Sequence, residues 1–355
     1  KNTCDSEALA GQRAGQGLSV AHEGPGEIVV INPCGFIGDA KEQSSDVILE
    51  QAERKRRGEI QRLYVTGGRV QRYQEELVAE LPEVDGFYNL SQLRELLSAL
   101  GADYRTSLVG ERLLSTPSHY AYLKISEGCD RSCSYCAIPM IRGRHISVPM
   151  EDLVAQAEKL AQGGVKELIL IAQDLTYYGI DLYGKRCLAE LIRRLARIDG
   201  IRWIRLHYAY PNGFPEDVLE VMATEPKVCK YLDIPLQHIS DRILRSMKRG
   251  STRQEIDALL SRIREKVPGI ALRTTLIVGY PGETQEEFDE LKAWVSTQRF
   301  DRLGCFAYSQ EEGTAAARLE DDVPPQEKQR RVEELMELQK QISYENNLAR
   351  VGQTL

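Results

Sequence analysis

The chain has 355 residues, eight cysteines and a formal net charge of −7. With 42% hydrophobic and 28% charged residues it is too apolar to stay disordered and long enough for two or three domains, while its cysteines are too sparse for a disulfide scaffold. No apolar run reaches the ~18–20 residues of a membrane helix and no signal-peptide pattern opens the chain, so a cytoplasmic protein without a membrane segment is expected, and its mild acidity suits a basic protein partner better than bulk nucleic acid.

Taken in chain order, Glu27–Asn32 reads as a strand with Cys34-Gly-Phe-Ile at its carboxyl end. Asp39, with Glu42 three residues on, predicts a helix N-cap and capping box before a helix to about Arg57. Arg62–Thr66 is the next strand, followed by a Gly67-Gly68 turn, a helix over Gln74–Glu80, a strand at Gly86–Asn89 and a Leu-rich helix from Ser91 to Leu100. The alternation predicts a Rossmann- or flavodoxin-like parallel sheet over residues 1–105, lacking its first strand. Residues 106–119, with Pro117, read as a linker. Over residues 120–323 six strands are expected, at Ala121–Ser126, Glu167–Ala172, Ile201–His207, Tyr231–Leu236, Leu272–Val278 and Leu303–Tyr308. Helices such as Glu151–Gln162 and Ser240–Arg249 lie between them, which suggests an incomplete (β/α)6 TIM-like barrel with its chemistry at the strands' carboxyl ends. Residues 324–355 open with Pro324-Pro325 and continue as a helix to about Asn347, with Val332, Leu335, Met336, Leu338 and Ile342 near one face. The abrupt start at Lys1 and the closing Val351-Gly-Gln-Thr-Leu355 read as the edges of a piece of a longer protein.

The strongest signal is Cys129-Asp-Arg-Ser-Cys133-Ser-Tyr-Cys136, just past the first barrel strand. Thiolates hold iron–sulfur clusters, and three of them on a short loop leave one iron of a cube open. Zinc commonly takes two C-x2-C pairs, and no second pair exists here. A zinc knuckle completed by His119 or His145 is the alternative reading.

This loop, following the first strand of a six-unit barrel, resembles the radical S-adenosylmethionine superfamily. The resemblance implies that the open iron chelates the amino and carboxylate groups of S-adenosylmethionine, whose cleavage yields a 5′-deoxyadenosyl radical. Lys1-Asn2, Asp5-Ser-Glu7, Asn32-Pro-Cys34-Gly-Phe-Ile and Thr66-Gly-Gly-Arg-Val-Gln71-Arg-Tyr73 are similar to the N-terminal domain of methylthiotransferases. Lys124-Ile-Ser-Glu-Gly-Cys129, Ala137-Ile-Pro-Met-Ile-Arg142, Ala172-Gln-Asp174, Asp233-Ile-Pro-Leu-Gln237-His238 and Gly279-Tyr-Pro-Gly-Glu283-Thr284 resemble the ribosomal-protein, RimO-type branch. The branch acting on tRNA adenosine would instead read Ile-Val-Pro after the triad and Gln-Ser-Gly-Ser near Gln237, and it stays as the alternative.

The resemblance implies transfer of a methylthio group to the β-carbon of an aspartate in small-subunit ribosomal protein S-twelve. One S-adenosylmethionine supplies the methyl group and another the radical, with a flavodoxin or ferredoxin as electron donor. Cys129, Cys133 and Cys136 would hold the radical 4Fe–4S cluster. A second 4Fe–4S cluster would carry the donated sulfur on three N-terminal cysteines. Of these the first would precede Lys1, the second matches Cys34 and the third falls at Gly68, which has no donor atom. A ribosome-associated variant without sulfur transfer is therefore a rival reading. Cys4 reads as a small buried residue. A closing TRAM β-barrel is expected to be absent but for its first residues.

The resemblance also implies cofactor contacts. Tyr135 and the backbone around Ile138 would lie near the adenine, and Gln173 and Asp174 near the ribose and amino-acid part. Gln237 and His238 would face cofactor or substrate. Arg273 either neutralises the methionine carboxylate or forms a structural ion pair, and His207 reads as structural. Cys187, Cys229 and Cys305 are bystanders. Arg54-Lys-Arg-Arg57 with Arg62, Arg69 and Arg72 is either a patch for ribosomal RNA or a solvated helix face.

Overall fold

A computed structural model gives the fold and describes residues 1–22, 24 and 26–353, with Asp39 by its backbone alone. The chain forms two compact units, the first comprising Lys1–Asp130, Ala137–Leu168 and Ile198–Gly200, the second Arg131–Cys136, Ile169–Arg197 and Ile201–Leu355.

The first unit begins α1 (Asn2–Ala14), β1 (Ile28–Ile31), α2 (Gly38–Arg56), β2 (Arg62–Thr66), α3 (Gly68–Glu80), β3 (Gly86–Tyr88) and α4 (Leu93–Ala99). Its sheet has the order β1-β2-β3 and is parallel, with Ile28 opposite Arg62 and Tyr64 opposite Gly86. Strand β2 is central, so its residues must be apolar on both faces. Leu63 and Val65 pack with Ile48 and Ala52 of α2 and Val70 and Leu77 of α3, while Tyr64 packs with Leu96 of α4 and Leu9 of α1. The doubly covered sheet expected from the sequence is thus realised. Beyond it come β4 (Tyr120–Lys124), β5 (Ser126–Glu127), α5 (Ile138–Arg142), β6 (Ile146–Ser147) and α6 (Met150–Gln162), with β5 and β6 antiparallel.

Three local expectations change. Helix α2 starts at Gly38 after an extended Ile37, so Asp39 and Glu42 lie inside it and Asp39 is not its N-cap. Helix α3 starts at Gly68, where a turn was expected, and its early residues are disguised by a kink at Tyr73 (φ −134°, ψ 31°). Helix α1 was not expected at all, because its buried face carries Glu7, Gly11 and Gln12 beside Cys4 and Ala10. Glu7 is tolerated there because Arg112, from the segment expected to be a linker, pairs with it, and Ser115 donates to it from N at 2.8 Å and from Oγ at 2.7 Å.

The second unit opens within β7 (Glu167–Ile171) and continues α7 (Ile180–Tyr183), α8 (Leu188–Ala196), β8 (Trp203–Leu206), α9 (Glu216–Thr224), β9 (Val228–Asp233), α10 (Asp241–Ser246), α11 (Arg253–Lys266), β10 (Ala271–Val278), α12 (Gln285–Gln298), β11 (Arg302–Ala307) and α13 (Pro325–Leu348). Its strands lie in the order β11-β10-β9-β8-β7, and β8 to β11 pair in parallel. The six strands expected after residue 120 are therefore β4 and β7 to β11. The largest shift is in β9, which ends at Asp233 because Pro235 cannot donate to a ladder. Along β10, Leu272, Thr274, Leu276 and Val278 are buried, while Arg273 and Thr275 occupy the opposite, more open face.

Helix α13 packs on β11, but its buried stripe is Lys328, Arg331, Leu335, Gln339 and Ile342. Met336, expected near the packing face, is exposed. Of the terminal Val351–Leu355 stretch, Thr354 and Leu355 lie outside the described residues. Among the described residues no helix is long and apolar enough to cross a membrane.

Candidate metal centre

The triad loop is held from both ends. Gly128 has φ +73°, and a Cβ there would collide with the Arg144 carbonyl, so only glycine lets the chain pass. Cys129 N then donates to Gly143 O at 3.1 Å, and Asp130 Oδ1 accepts His145 N at 3.0 Å. In the second unit Ser134 is the anchor. Its N donates to Met247 O at 3.0 Å, its O accepts from Ala316 N at 2.8 Å, and its Oγ donates to Ser246 O at 2.8 Å. Cys136 N donates to Cys133 O at 3.1 Å, closing a tight turn between two of the thiols.

None of the three cysteines is in a disulfide, and all are half-buried. Cys133 Sγ lies 3.3 Å from Arg249 Nη1 and 3.7 Å from the Tyr210 hydroxyl. The same Arg249 nitrogen donates to the Tyr135 hydroxyl at 3.3 Å, and the Tyr135 ring packs against Met247, Tyr280 and Tyr308. Burial pushes the Tyr135 and Tyr210 phenols above their ordinary values, so both stay neutral while Arg249 stays charged. Among the described residues no three His, Cys, Asp or Glu side chains converge as a cation site. A buried guanidinium aimed at Cys133 nonetheless suits a thiolate and an anionic sulfur cluster. His145 Nε2 is 3.0 Å from Ser147 Oγ, and His119 lies edge-on to Tyr120.

The other expected residues fall as follows. Asp174 is buried, caps the turn at Leu175–Tyr177 by accepting from Thr176 N at 2.9 Å, and pairs with Arg131 at 2.9 Å. Both carboxylate oxygens are thereby engaged, so it sits as a brace for the triad loop. Gln173 beside it is half-buried at the end of β7. Ile138 opens α5 in the first unit. Gln237 has φ +74°, is bonded to β10 through Thr275 O at 2.9 Å and Ile277 N at 2.8 Å, and its buried Oε1 has no hydrogen-bond partner. Arg273 donates to Asp233 at 2.7 Å while remaining a third exposed, so the ion-pair reading holds and one edge of its guanidinium is left open. His207 stacks 5.5 Å from Tyr231.

His238 is fully buried, accepts Ser240 N on Nδ1 at 3.0 Å and stands 3.8 Å from Glu283, with Arg331, Glu287 and Arg242 nearby. Burial pushes its imidazole down to about 3, so it is neutral at physiological pH. The unfolded imidazole takes a proton near pH ~6.5, so this group's contribution to stability is lost as pH falls from there toward its folded value, by up to about 1.4 kcal/mol per pH unit. Glu283, pushed up to about 7 by the same burial, acts in the opposite sense, losing stability as pH rises. Relative to the unsubstituted chain, His238→Asn should therefore gain urea midpoint, or lose less of it, as pH falls from about 7 to about 5; the same change with pH in both would show that His238 is not the titrating group.

In the first unit, residues of separate motifs converge. Asp5 pairs with Lys124 and, at 2.7 Å, with Arg142, while Glu127 lies 2.7 Å from Lys124 and 3.1 Å from Arg142. The loops after β1 and β2 also abut, since a Cβ on Gly35 would stand 2.7 Å from Gly68 O. Cys34 is exposed on the first of these loops. A Cβ at Gly68 would meet Ile141 Cγ2 at 2.8 Å, so an apolar side chain fills the space a third ligand would need. Cys4 is buried against Arg112 and Tyr122 O, as a small core residue. The residues present thus do not supply a second three-thiolate site. The basic run is largely answered within the fold: Arg54, Lys55, Arg56 and Arg57 each lie within 4.0 Å of a carboxylate, and Arg69 and Arg72 donate to backbone carbonyls.

Residues 123–295 match the family model described as the Radical SAM superfamily, and residues 1–89 match the Uncharacterized protein family UPF0004. A protein of Christiangramia forsetii named ribosomal protein uS12 methylthiotransferase RimO is 60% identical over 353 residues, which is 99% of this chain and 78% of that protein. A protein of the same name from Flavobacterium psychrophilum is 59% identical, covering 100% of this chain and 82% of its own length. The chain belongs to the RimO family. Among solved structures, the radical S-adenosylmethionine methyltransferase TsrM of Kitasatospora setae, with cobalamin and a 4Fe–4S cluster bound, aligns over 89% of this chain and 68% of its own with a TM-score of 0.59. At 16% identity that likeness speaks to the fold alone. Membership of the RimO family, within the radical S-adenosylmethionine superfamily, carries a 4Fe–4S cluster and S-adenosylmethionine as cofactors. Sequence reasoning passed over Tyr210 and Arg249, which flank Cys133 in this RimO chain, because single residues far apart in sequence carry no spacing signal.

Proposed function

We propose that this chain transfers a methylthio group to the β-carbon of an aspartate in ribosomal protein uS12. The observation that carries the reading is similarity to RimO proteins at 59–60% identity across nearly the whole chain, triad included. Cys129, Cys133 and Cys136 hold the 4Fe–4S cluster in this reading. When bound, that cluster supplies the single electron that cleaves S-adenosylmethionine. The chain's own part is to place and shield. Ser134 and the Arg131–Asp174 pair fix the loop, and Tyr135 and Gln173 line the cofactor's place. Gln237 offers its unpartnered amide oxygen to a ligand donor, and Arg273 offers its open guanidinium edge to a carboxylate. A flavodoxin or ferredoxin is the proposed electron donor, and the cytoplasm the proposed compartment.

The test is product analysis after anaerobic reconstitution with iron, sulfide, dithionite and S-adenosylmethionine. The expected result is a uS12 peptide in which a methylthio group has replaced one hydrogen on aspartate. Methylthiolated adenosine in tRNA instead would overturn the substrate assignment. The position of Gly68 favours one second reading, cofactor cleavage without sulfur transfer, which would show as 5′-deoxyadenosine with unmodified uS12. The same preparation separates the two readings: without sulfur transfer, iron and sulfide should match one cluster, and Cys34→Ala should leave that content unchanged. A drop of half on Cys34→Ala would show that Cys34 holds a second cluster.

A further inference from the structure

We propose that Arg249 sets the reduction potential of the cluster, acting as a positioning residue through Cys133. The inference rests on the triad being the cluster site. Arg249 is 3% exposed, yet among the described residues no carboxylate pairs with it. A buried guanidinium without a counter-charge is costly, and every other strongly buried arginine named above, Arg112, Arg142 and Arg331, has its carboxylate. The neighbours of Arg249 are instead Cys133 Sγ at 3.3 Å, the Tyr135 hydroxyl at 3.3 Å, Pro235 O, and the Tyr210 ring at 4.3 Å. Its Nε is buried without a partner. The negative charge this cation calls for is that of a thiolate and the cluster it carries.

The arrangement is braced. Tyr210 donates its hydroxyl to Arg249 O at 2.8 Å, and Arg131 covers the same ring at 4.1 Å. One cation, Arg249, therefore stands in hydrogen-bond contact with the sulfur of a cluster ligand, while Arg131 is itself paired with Asp174. Reduction adds one electron to the cluster. A fixed positive charge and an N–H donor at sulfur stabilise that added charge, which raises the potential and makes the cluster easier to reduce.

The experiment is an anaerobic dithionite titration followed by EPR, on reconstituted chain with iron and sulfide counted beforehand. Arg249→Gln, with wild-type iron, is expected to shift the midpoint to more negative potential. Arg249→Lys, which keeps the charge but loses the planar donor, should shift it less, and Tyr210→Phe least. An unchanged midpoint in Arg249→Gln overturns the proposal. Should Arg249→Gln lose its iron, Arg249→Lys decides: a negative shift supports the tuning role, and a wild-type midpoint overturns it. If the unsubstituted chain binds no cluster, the triad assignment fails, and the inference falls with it.

Discussion

Replacing Cys133 by alanine is expected to remove the cluster and with it all cleavage of S-adenosylmethionine. Each thiolate of a three-cysteine site ligates one iron, so losing any of them leaves two ligands and an unstable cluster. The fold should survive. Cys133 is half-buried, and Arg249 keeps its contacts with Tyr135 and Pro235, so the stability cost should stay within about 1–2 kcal/mol. Circular dichroism of Cys133→Ala should therefore match the unsubstituted chain while iron, sulfide and 5′-deoxyadenosine formation drop to background. Cys229→Ser, outside the triad, should retain all three. Full cluster content in Cys133→Ala would show that the triad is not the ligand set.

Replacing Arg331 by methionine should give the largest loss of stability. Arg331 reaches from α13 to the turn after β10, donating to Glu283 Oε1 at 2.9 Å and to Glu283 O at 3.1 Å, with the carboxylate side chain wholly buried. Removing the cation leaves an uncompensated buried carboxylate, which costs about 3–5 kcal/mol. The cost depends on pH. Burial already pushes Glu283 up to about 7, so below that it escapes by protonating, and the variant should be more destabilised near pH ~8 than near pH ~6. Adding Glu283→Gln should recover at least ~1 kcal/mol, since the two residues act as a pair. Urea midpoints of the single and double variants at both pH values check this; equal losses at both would mean the pair is not what joins α13 to the turn.

The fold was legible wherever local pattern and tertiary demand agree. The β-branched run of β1 and the apolar β2 announce a parallel sheet, and the cysteine loop announces itself because its three thiols lie within eight positions. Helix α1 was hidden because its buried face is paid in ion pairs: Glu7 and Arg112 are far apart in sequence, and neither looks like core alone. The same holds for α13, where Lys328 and Arg331 occupy positions an apolar pattern assigns to leucine. Gln237 was named from the sequence as a candidate site residue, but its left-handed backbone was not foreseen, since nothing in Pro-Leu-Gln-His requires it. Arg249 escaped notice for the plainest reason: its partners Cys133, Tyr135 and Tyr210 meet it only in the folded chain.

The central claim is that S-adenosylmethionine cleavage here removes a hydrogen from the β-carbon of a uS12 aspartate so that a methylthio group can take its place. It is tested most directly with uS12 carrying deuterium at its aspartate β-carbons. The account predicts deuterium in the released 5′-deoxyadenosine, accumulating in step with methylthiolated uS12. Methylthiolated uS12 formed alongside wholly unlabelled 5′-deoxyadenosine would contradict it.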